Sequence, residues 1–164
     1  MRLSRILAPE RVDLNLRASD KQGVLRDLAA LLALGGCGCD EQTIFQVLFE
    51  REVLASTGVG DGVAIPHGRH DRISQVRAAV GICRPGVPFD SIDGSPVRIL
   101  VAVVAAEDKA PLLLKSLAHV SRVLRDADLR ARLLNAGSCS MAFALLTRQE
   151  QRFVSIPPPP SRAG

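Results

Sequence analysis

The stretch Ile99-Leu100-Val101-Ala102-Val103-Val104-Ala105 is apolar at every position. A short, uninterrupted apolar run is typical of a strand that is buried on both faces of a sheet. Residues 76–82 carry apolar side chains at every second position, which predicts a half-buried strand. Val63-Ala64-Ile65 predicts a further short strand, and Pro66 is expected to end its pairing because proline has no N–H to donate.

Helical periodicity is found on both sides of these strands. Apolar residues recur at intervals of three and four between Val24 and Leu32, and Gly35-Gly36 ends the pattern. The preceding Ser19-Asp20-Lys21-Gln22 predicts a capping box with Ser19 as the N-cap. Further helices are predicted at residues 40–52, 111–124, 128–135 and 139–148.

These elements predict one α/β domain. Helices before, between and after the strands favour a mixed β-sheet flanked by helices in a single compact domain. The chain has 164 residues, a length that suits one domain with a substantial core. We assign residues 1–150 to this domain, with Leu3–Leu16 as an extended opening segment. Residues 151–164 contain four consecutive prolines, Pro157–Pro160, and are predicted to be a disordered Pro-rich tail.

Composition excludes several classes of function. Hydrophobic residues make up 47% and charged residues 23% of the chain, which excludes global disorder. No apolar run approaches the ~20 residues that cross a bilayer, and the N-terminus lacks the apolar stretch of a secretory signal. We therefore expect a cytoplasmic protein without membrane insertion, whose four cysteines are free thiols. A net charge of only +4 and the absence of Trp and Tyr argue against a nucleic-acid partner.

The residues that suggest chemistry lie between 51 and 68. Glycines at positions 58, 60 and 62 allow backbone amides to approach an anion, and Ser56 and Thr57 add hydroxyl donors. His67 follows between Pro66 and Gly68, and an imidazole is a competent nucleophile near neutral pH. Arg51 offers a forked pair of donors to a phosphoryl group.

Each of these features also has a purely structural interpretation. Closely spaced glycines are more often only a turn, and this spacing is not a dinucleotide-binding fingerprint. A single histidine near a strand is more often structural or merely exposed. His70 and Asp71 suggest a metal pair, but a complete site needs further ligands, and a solvated loop histidine is the simpler interpretation.

The combination resembles a known family. The string from Ser56 to Gly68, Ser-Thr-Gly-Val-Gly-Asp-Gly-Val-Ala-Ile-Pro-His-Gly, is similar to the active-site signature of the enzyme IIA domains of the mannitol/fructose class in the bacterial phosphotransferase system. Glu52 matches the acidic or amide position of that signature. The resemblance covers about residues 3–148. The segments 3–16, 88–94 and 117–126 look like the nitrogen-related, stand-alone branch.

The resemblance implies a phosphoryl carrier. His67 would accept the phosphoryl group from a histidine phosphocarrier protein that a phosphoenolpyruvate-dependent enzyme I has charged, and Arg51 would stabilise the transferring phosphate. The pocket would be shaped by Ser56, Thr57, Gly58, Gly60, Gly62 and Gly68. Neither a metal nor a cofactor is implied. The output would be regulatory, with potassium-transport or sensor-kinase proteins as targets.

One position departs from the family pattern. Leu113 stands where the family often carries a second histidine, and leucine cannot hydrogen-bond to phosphate. His119 lies six residues later, at roughly 120° around a helix, and is a poor substitute. Two alternatives therefore stay open: a binding-only regulatory relative that is not phosphorylated, and a sugar-specific enzyme IIA that supplies a separate membrane permease.

Overall fold

The structure, a computed structural model, describes residues 1–154. The helices are α1 (Leu3–Ile6), α2 (Lys21–Ala33), α3 (Glu41–Leu54), α4 (Ala110–Leu124), α5 (Ala127–Leu134) and α6 (Cys139–Val154). The strands are β1 (Val12–Asp13), β2 (Gly58–Gly60), β3 (Val63–Ala64), β4 (His67–His70), β5 (Arg77–Val87) and β6 (Val97–Ala106). Short 3-10 turns occur at Pro9–Arg11 and Glu107–Lys109.

The six strands form one mixed sheet with β6 at its centre. β5 pairs antiparallel with β6, and β1 pairs parallel with β5 at one edge. β3 and β4 both pair parallel with the other side of β6, and β2 pairs antiparallel with β3 at the far edge. This confirms the fold class predicted from the sequence.

The core lies on both faces of β6, as its unbroken apolar run predicts. Alternate residues point to opposite faces of a strand. Leu100, Ala102 and Val104 pack with side chains of α2 and α3, whereas Val101 and Val103 pack with α1, α4, α5 and α6. The sheet is therefore the middle of three layers.

β3 ends at Ala64, but pairing with β6 resumes beyond Pro66. Val63 lies opposite Ile99 and His67 lies opposite Val103, so β3 and β4 keep the same offset against β6. Pro66 removes one donor from this pairing, but its own carbonyl accepts from Val103 N at 2.9 Å, and pairing resumes at His67. The prediction that Pro66 ends the pairing is right for β3 but misses β4, because one missing N–H interrupts a ladder without displacing the chain.

Local details differ from the sequence-based expectations in three places. The opening segment is not simply extended, because α1 and the turn at Pro9–Arg11 lie within it. The N-cap of α2 is Asp20 and not Ser19, since the Asp20 carboxylate accepts from Gly23 N at 2.7 Å. α6 continues to Val154, so the first residues of the predicted tail are helical. The prolines of that prediction lie outside the described residues.

Candidate active site

A groove of about 910 Å³ runs between α3 and α4, across β4. His67, Arg51 and Leu113 all line it. A second cavity of about 420 Å³ adjoins it and is lined by His67 and Arg51 together with Ser56 and Thr57. The fold thus brings the candidate nucleophile and the candidate phosphate-binding arginine to the same depression.

The ring of His67 has a defined orientation and proton arrangement. Its Nδ1 lies 2.8 Å from the backbone carbonyl of Ile65. A carbonyl oxygen only accepts hydrogen bonds, so Nδ1 carries the proton of the neutral ring and donates it. Nε2 is then the nitrogen with a free lone pair, which is the nucleophilic atom of a neutral imidazole.

Burial lowers the pKa of His67 below its ordinary value. The hydrogen bond to Ile65 acts in the opposite direction, the positive charge of Arg51 lowers the pKa further, and the negative charge of Glu52 raises it. The net direction is downward, so the ring is neutral at physiological pH. A neutral ring with a free Nε2 lone pair is the nucleophilic form of an imidazole.

The backbone around His67 is held from two sides. Ile65 N donates to the carbonyl of Thr57 at 3.0 Å, which ties the segment to the residues after α3. On the other side, β4 pairs with β6 over its whole length. Gly68 allows β4 to pack closely on α3, because a Cβ at this position would overlap the side chain of Val47. The histidine therefore sits on a fixed strand and not on a mobile loop.

Arg51 lies in the last turn of α3. One of its guanidinium nitrogens donates to the carbonyl of Ala55 at 2.9 Å, across the end of the helix. A guanidinium carries further N–H donors in a fixed fork, which suits phosphate oxygens. Its charge is near enough to His67 to lower the pKa of that ring.

The hydroxyls of Ser56 and Thr57 are engaged within the protein. Ser56 Oγ donates to the carbonyl of Phe89 at 2.7 Å, and the buried Thr57 hydroxyl donates to the Glu52 carboxylate. Their first role in the fold is thus to fix the segment between α3 and β2, although both residues line the second cavity.

The glycine string forms a strand and a turn, and not the open loop that its composition suggested. The amides of Gly58 and Gly60 donate to the hydroxyls of Ser56 and Ser91, respectively. Gly60 and Gly62 have φ values of +97° and +74°, so they permit the turn between β2 and β3. Gly58, Gly60 and Gly62 are absent from the linings of both cavities, whereas Gly68 lines the groove. In the structure the string shapes the hairpin between β2 and β3, beside the site.

Glu52 is a buried carboxylate, and the residue types alone did not predict its burial or its pairing with Lys21. Its side chain is only 2% exposed and lies 3.0 Å from Lys21 Nζ. A signal was available in the helical pattern: Ile44, Leu48 and Glu52 follow one another at intervals of four, which places an acidic residue on the apolar face of α3.

The remaining histidines lie in different surroundings. His119 Nε2 is 2.9 Å from the buried Glu150 of α6, so this side chain links α4 to α6. It does not line the groove. His70 Nδ1 is 3.0 Å from Asp71 and 3.5 Å from the thiol of Cys39. Among residues 1–154, no three His, Cys, Asp or Glu side chains are grouped so as to hold a metal ion.

All four cysteines are free thiols in the structure, and Cys37, Cys39 and Cys83 are buried. Within the described part of the chain, no helix has the length and apolar character needed to cross a membrane.

Comparison with known proteins identifies the family. Residues 5–149 match the family described as "Phosphoenolpyruvate-dependent sugar phosphotransferase system, EIIA 2". A nitrogen regulatory protein of Pseudomonas aeruginosa is 36% identical over 146 residues, which is 89% of this chain and 95% of that protein. A fructose-specific EIIA component of Haloferax volcanii is 32% identical over 136 residues, covering 83% and 88% of the two chains.

A solved structure agrees with this assignment. The nitrogen regulatory protein IIA-Ntr from Neisseria meningitidis superposes with a TM-score of 0.83 at 30% identity, covering 88% of this chain and 99% of that one. The chain therefore belongs to the EIIA type 2 family of the phosphoenolpyruvate-dependent sugar phosphotransferase system, with nitrogen regulatory proteins among its similar relatives.

Proposed function

We propose that this chain carries a phosphoryl group on Nε2 of His67 and reports its phosphorylation state to regulatory partners. The observation that carries the proposal is the 2.8 Å contact between His67 Nδ1 and the carbonyl of Ile65. The contact assigns the ring proton to Nδ1 and leaves the lone pair of Nε2 free, in cavities that Arg51 also lines. Similarity to nitrogen regulatory proteins supports the regulatory part of the proposal.

The transfer is a displacement at phosphorus. The lone pair of His67 Nε2 forms a new P–N bond while the P–N bond of the donor's phosphohistidine breaks and its electron pair returns to the donor ring. Nδ1 of His67 keeps its proton, so the phosphorylated ring carries a positive charge that the carbonyl of Ile65 stabilises. Arg51 neutralises charge on the phosphate oxygens, and such electrostatic stabilisation with positioning is what phosphoryl transfer requires.

The surroundings of His67 suit docking of another protein. Val53, Leu54 and Leu114 line the groove and are among the most exposed large apolar side chains, at 68%, 82% and 67% exposure. Exposed apolar clusters of this kind mark interaction surfaces. We propose a histidine phosphocarrier protein, charged from phosphoenolpyruvate by enzyme I in the cytoplasm, as the donor. Potassium-transport or sensor-kinase proteins are the proposed targets.

The experiment is intact-mass analysis after incubation with phosphoenolpyruvate, enzyme I and the phosphocarrier protein. We expect one acid-labile phosphoryl adduct on the wild-type chain and none on His67→Gln. His70→Gln is the matched control, because His70 lies on the same strand and lines the same groove. An adduct that persists in His67→Gln, or that disappears in His70→Gln alone, would contradict the assignment of His67.

The same phosphorylation assay distinguishes two other candidate functions from this one. The Haloferax volcanii relative, a fructose-specific EIIA component, favours sugar supply as the second candidate. That function requires the phosphorylated chain to discharge to a permease domain and a sugar. The position of Leu113 in the groove favours a binding-only protein, which would give no adduct although the donor proteins are active.

A further inference from the structure

The buried carboxylate of Glu52 lies next to Arg51 in the chain but lines neither cavity. We propose that Glu52, paired with Lys21, is a positioning residue for His67: it fixes the backbone that orients the ring, and its charge favours the positive ring that phosphoryl transfer creates. The second half of this inference rests on the proposed function, whereas the first half concerns the unmodified protein.

The first link joins the end of α3 to Thr57. Glu52 Oε2 accepts from Thr57 N at 2.9 Å and also from the Thr57 hydroxyl. Two donors on one carboxylate oxygen fix both the backbone and the side chain of Thr57. Both groups are buried, so this geometry does not compete with water.

The second link joins Thr57 to the ring. The carbonyl of Thr57 accepts from Ile65 N at 3.0 Å, and the carbonyl of Ile65 accepts from His67 Nδ1 at 2.8 Å. A continuous series of hydrogen-bonded residues thus runs from the Glu52 carboxylate to the imidazole. A displacement of Thr57 would move the carbonyl that holds the Nδ1 proton.

Lys21 supplies the countercharge that a buried carboxylate requires. Its Nζ is 3.0 Å from Glu52 Oε1, an ion pair whose geometry falls short of a hydrogen bond, and 2.8 Å from Asp90 Oδ2. The same ammonium lies 4.9 Å from the centre of the Phe89 ring. Lys21 therefore connects the start of α2, the end of α3 and the segment that follows β5.

The charge of Glu52 acts on the reaction as well as on the geometry. Burial and Arg51 both lower the pKa of His67, and Glu52 is the acidic group that opposes them. During transfer the ring becomes positive because Nδ1 keeps its proton while Nε2 binds phosphorus. A fixed negative charge near the ring stabilises that form more than the neutral ring, so it favours the transition state.

The first test replaces Glu52 with glutamine, which keeps an oxygen for Thr57 N but removes the charge. Nitrogen-15 NMR of the unphosphorylated protein should show the pKa of His67 lowered further, because the acidic group that opposes burial and Arg51 has lost its charge. The kcat for phosphoryl acceptance should fall roughly three-fold, because one modest electrostatic contribution to the positive ring is removed. The KM for the phosphocarrier should not change, because Glu52 lies outside the groove.

Asp90→Asn is the matched control. It removes the exposed partner of Lys21 and leaves the contacts between Glu52 and Thr57 in place. Asn tolerates the positive φ of 53° at this position. We expect the wild-type pKa of His67 and the wild-type kcat in this variant, whereas a change as large as that of Glu52→Gln would assign the effect to Lys21 and overturn the role of Glu52.

A second variant guards against a failure to fold. Thr57→Val removes the hydroxyl that Glu52 holds, and we expect it to raise the population of the Nε2–H tautomer of His67 in the nitrogen-15 spectrum. An unchanged tautomer in Thr57→Val, or a folded Glu52→Gln with unchanged pKa and kcat, would overturn the inference. The NMR measurements need no phosphoryl donor, so they distinguish this failure from a failure of His67 to be phosphorylated.

Discussion

Gly68 of β4 packs against Val47 of α3 so closely that a Cβ on the glycine would overlap Cγ1 of the valine. The carbonyl of Val47 would lie 3.3 Å from the same Cβ. This contact sets the distance between the strand that begins with His67 and the helix that ends near Arg51. Both residues line the groove, so their contact forms part of its base.

Gly68→Ala should therefore destabilise the protein by about 1–3 kcal/mol, the usual cost of inserting a methyl group into a packed contact. Urea denaturation of Gly68→Ala, Val47→Ala and the double variant measures the effect. We expect the double variant to recover part of the loss, because Val47→Ala removes the atom that the new methyl meets. Strictly additive changes in the free energy of unfolding would show that the contact between Gly68 and Val47 is not the cause of the loss.

The depressed pKa of His67 makes a prediction for stability against pH. Burial is the main cause of the depression, so the folded state resists protonation of this ring while the unfolded state takes up a proton near the ordinary value of about 6.5. Above that pH the ring of His67 is neutral in both the folded and the unfolded state, so its titration does not change the free energy of unfolding. Stability is lost as the pH falls below about 6.5, because only the unfolded state gains a proton there.

His67→Gln removes this contribution. Urea midpoints at about pH 7.5 and pH 5.5 should show a smaller loss on acidification for His67→Gln than for the wild type. His70→Gln serves as the control on the same strand. If His67→Gln and the wild type lose the same stability between the two pH values, the ring of His67 is not shielded from protons in the folded state.

The sequence predicted those elements whose pattern is complete within a short window. The apolar run of β6 and the periodicity of α4 each identify an element without reference to any other part of the chain. The continuation of pairing beyond Pro66 depends instead on the position of β6, about 36 residues further along the chain. The engagement of the Gly60 amide by Ser91 is likewise a contact between distant segments, so the glycine spacing suggested a free anion-binding loop.

The same limit applies to the candidate site. His67 and Arg51 were predicted because their residue types and their neighbours in the chain carry the family pattern, and the structure brings both to one groove. The link from Glu52 through Thr57 to Ile65 was not predicted. It runs through backbone N–H and C=O groups, which nearly every residue type has, so the sequence does not indicate it. Only the position of Glu52 on the apolar face of α3 indicated that its side chain is buried.

Arg77 is a second buried charge that ties a helix end to the sheet. Its guanidinium donates to the carbonyls of Leu32, Leu34 and Gly36, with distances of 3.1, 2.5 and 2.6 Å. These carbonyls lie at and just beyond the end of α2, where a helix has no partners of its own for them. The residue is only 5% exposed, so water cannot readily replace it.

Arg77→Met should cost about 2–4 kcal/mol of unfolding free energy, because it keeps most of the side-chain volume but leaves three carbonyls without their donor. Arg84 provides the comparison, since it donates in the same way to the carbonyls of Leu14, Leu134 and Ala136 but is exposed. Arg84→Met should cost about 1 kcal/mol, because water reaches those carbonyls once the arginine is removed. Equal losses for the two variants in urea denaturation would show that burial does not set the cost of losing this contact.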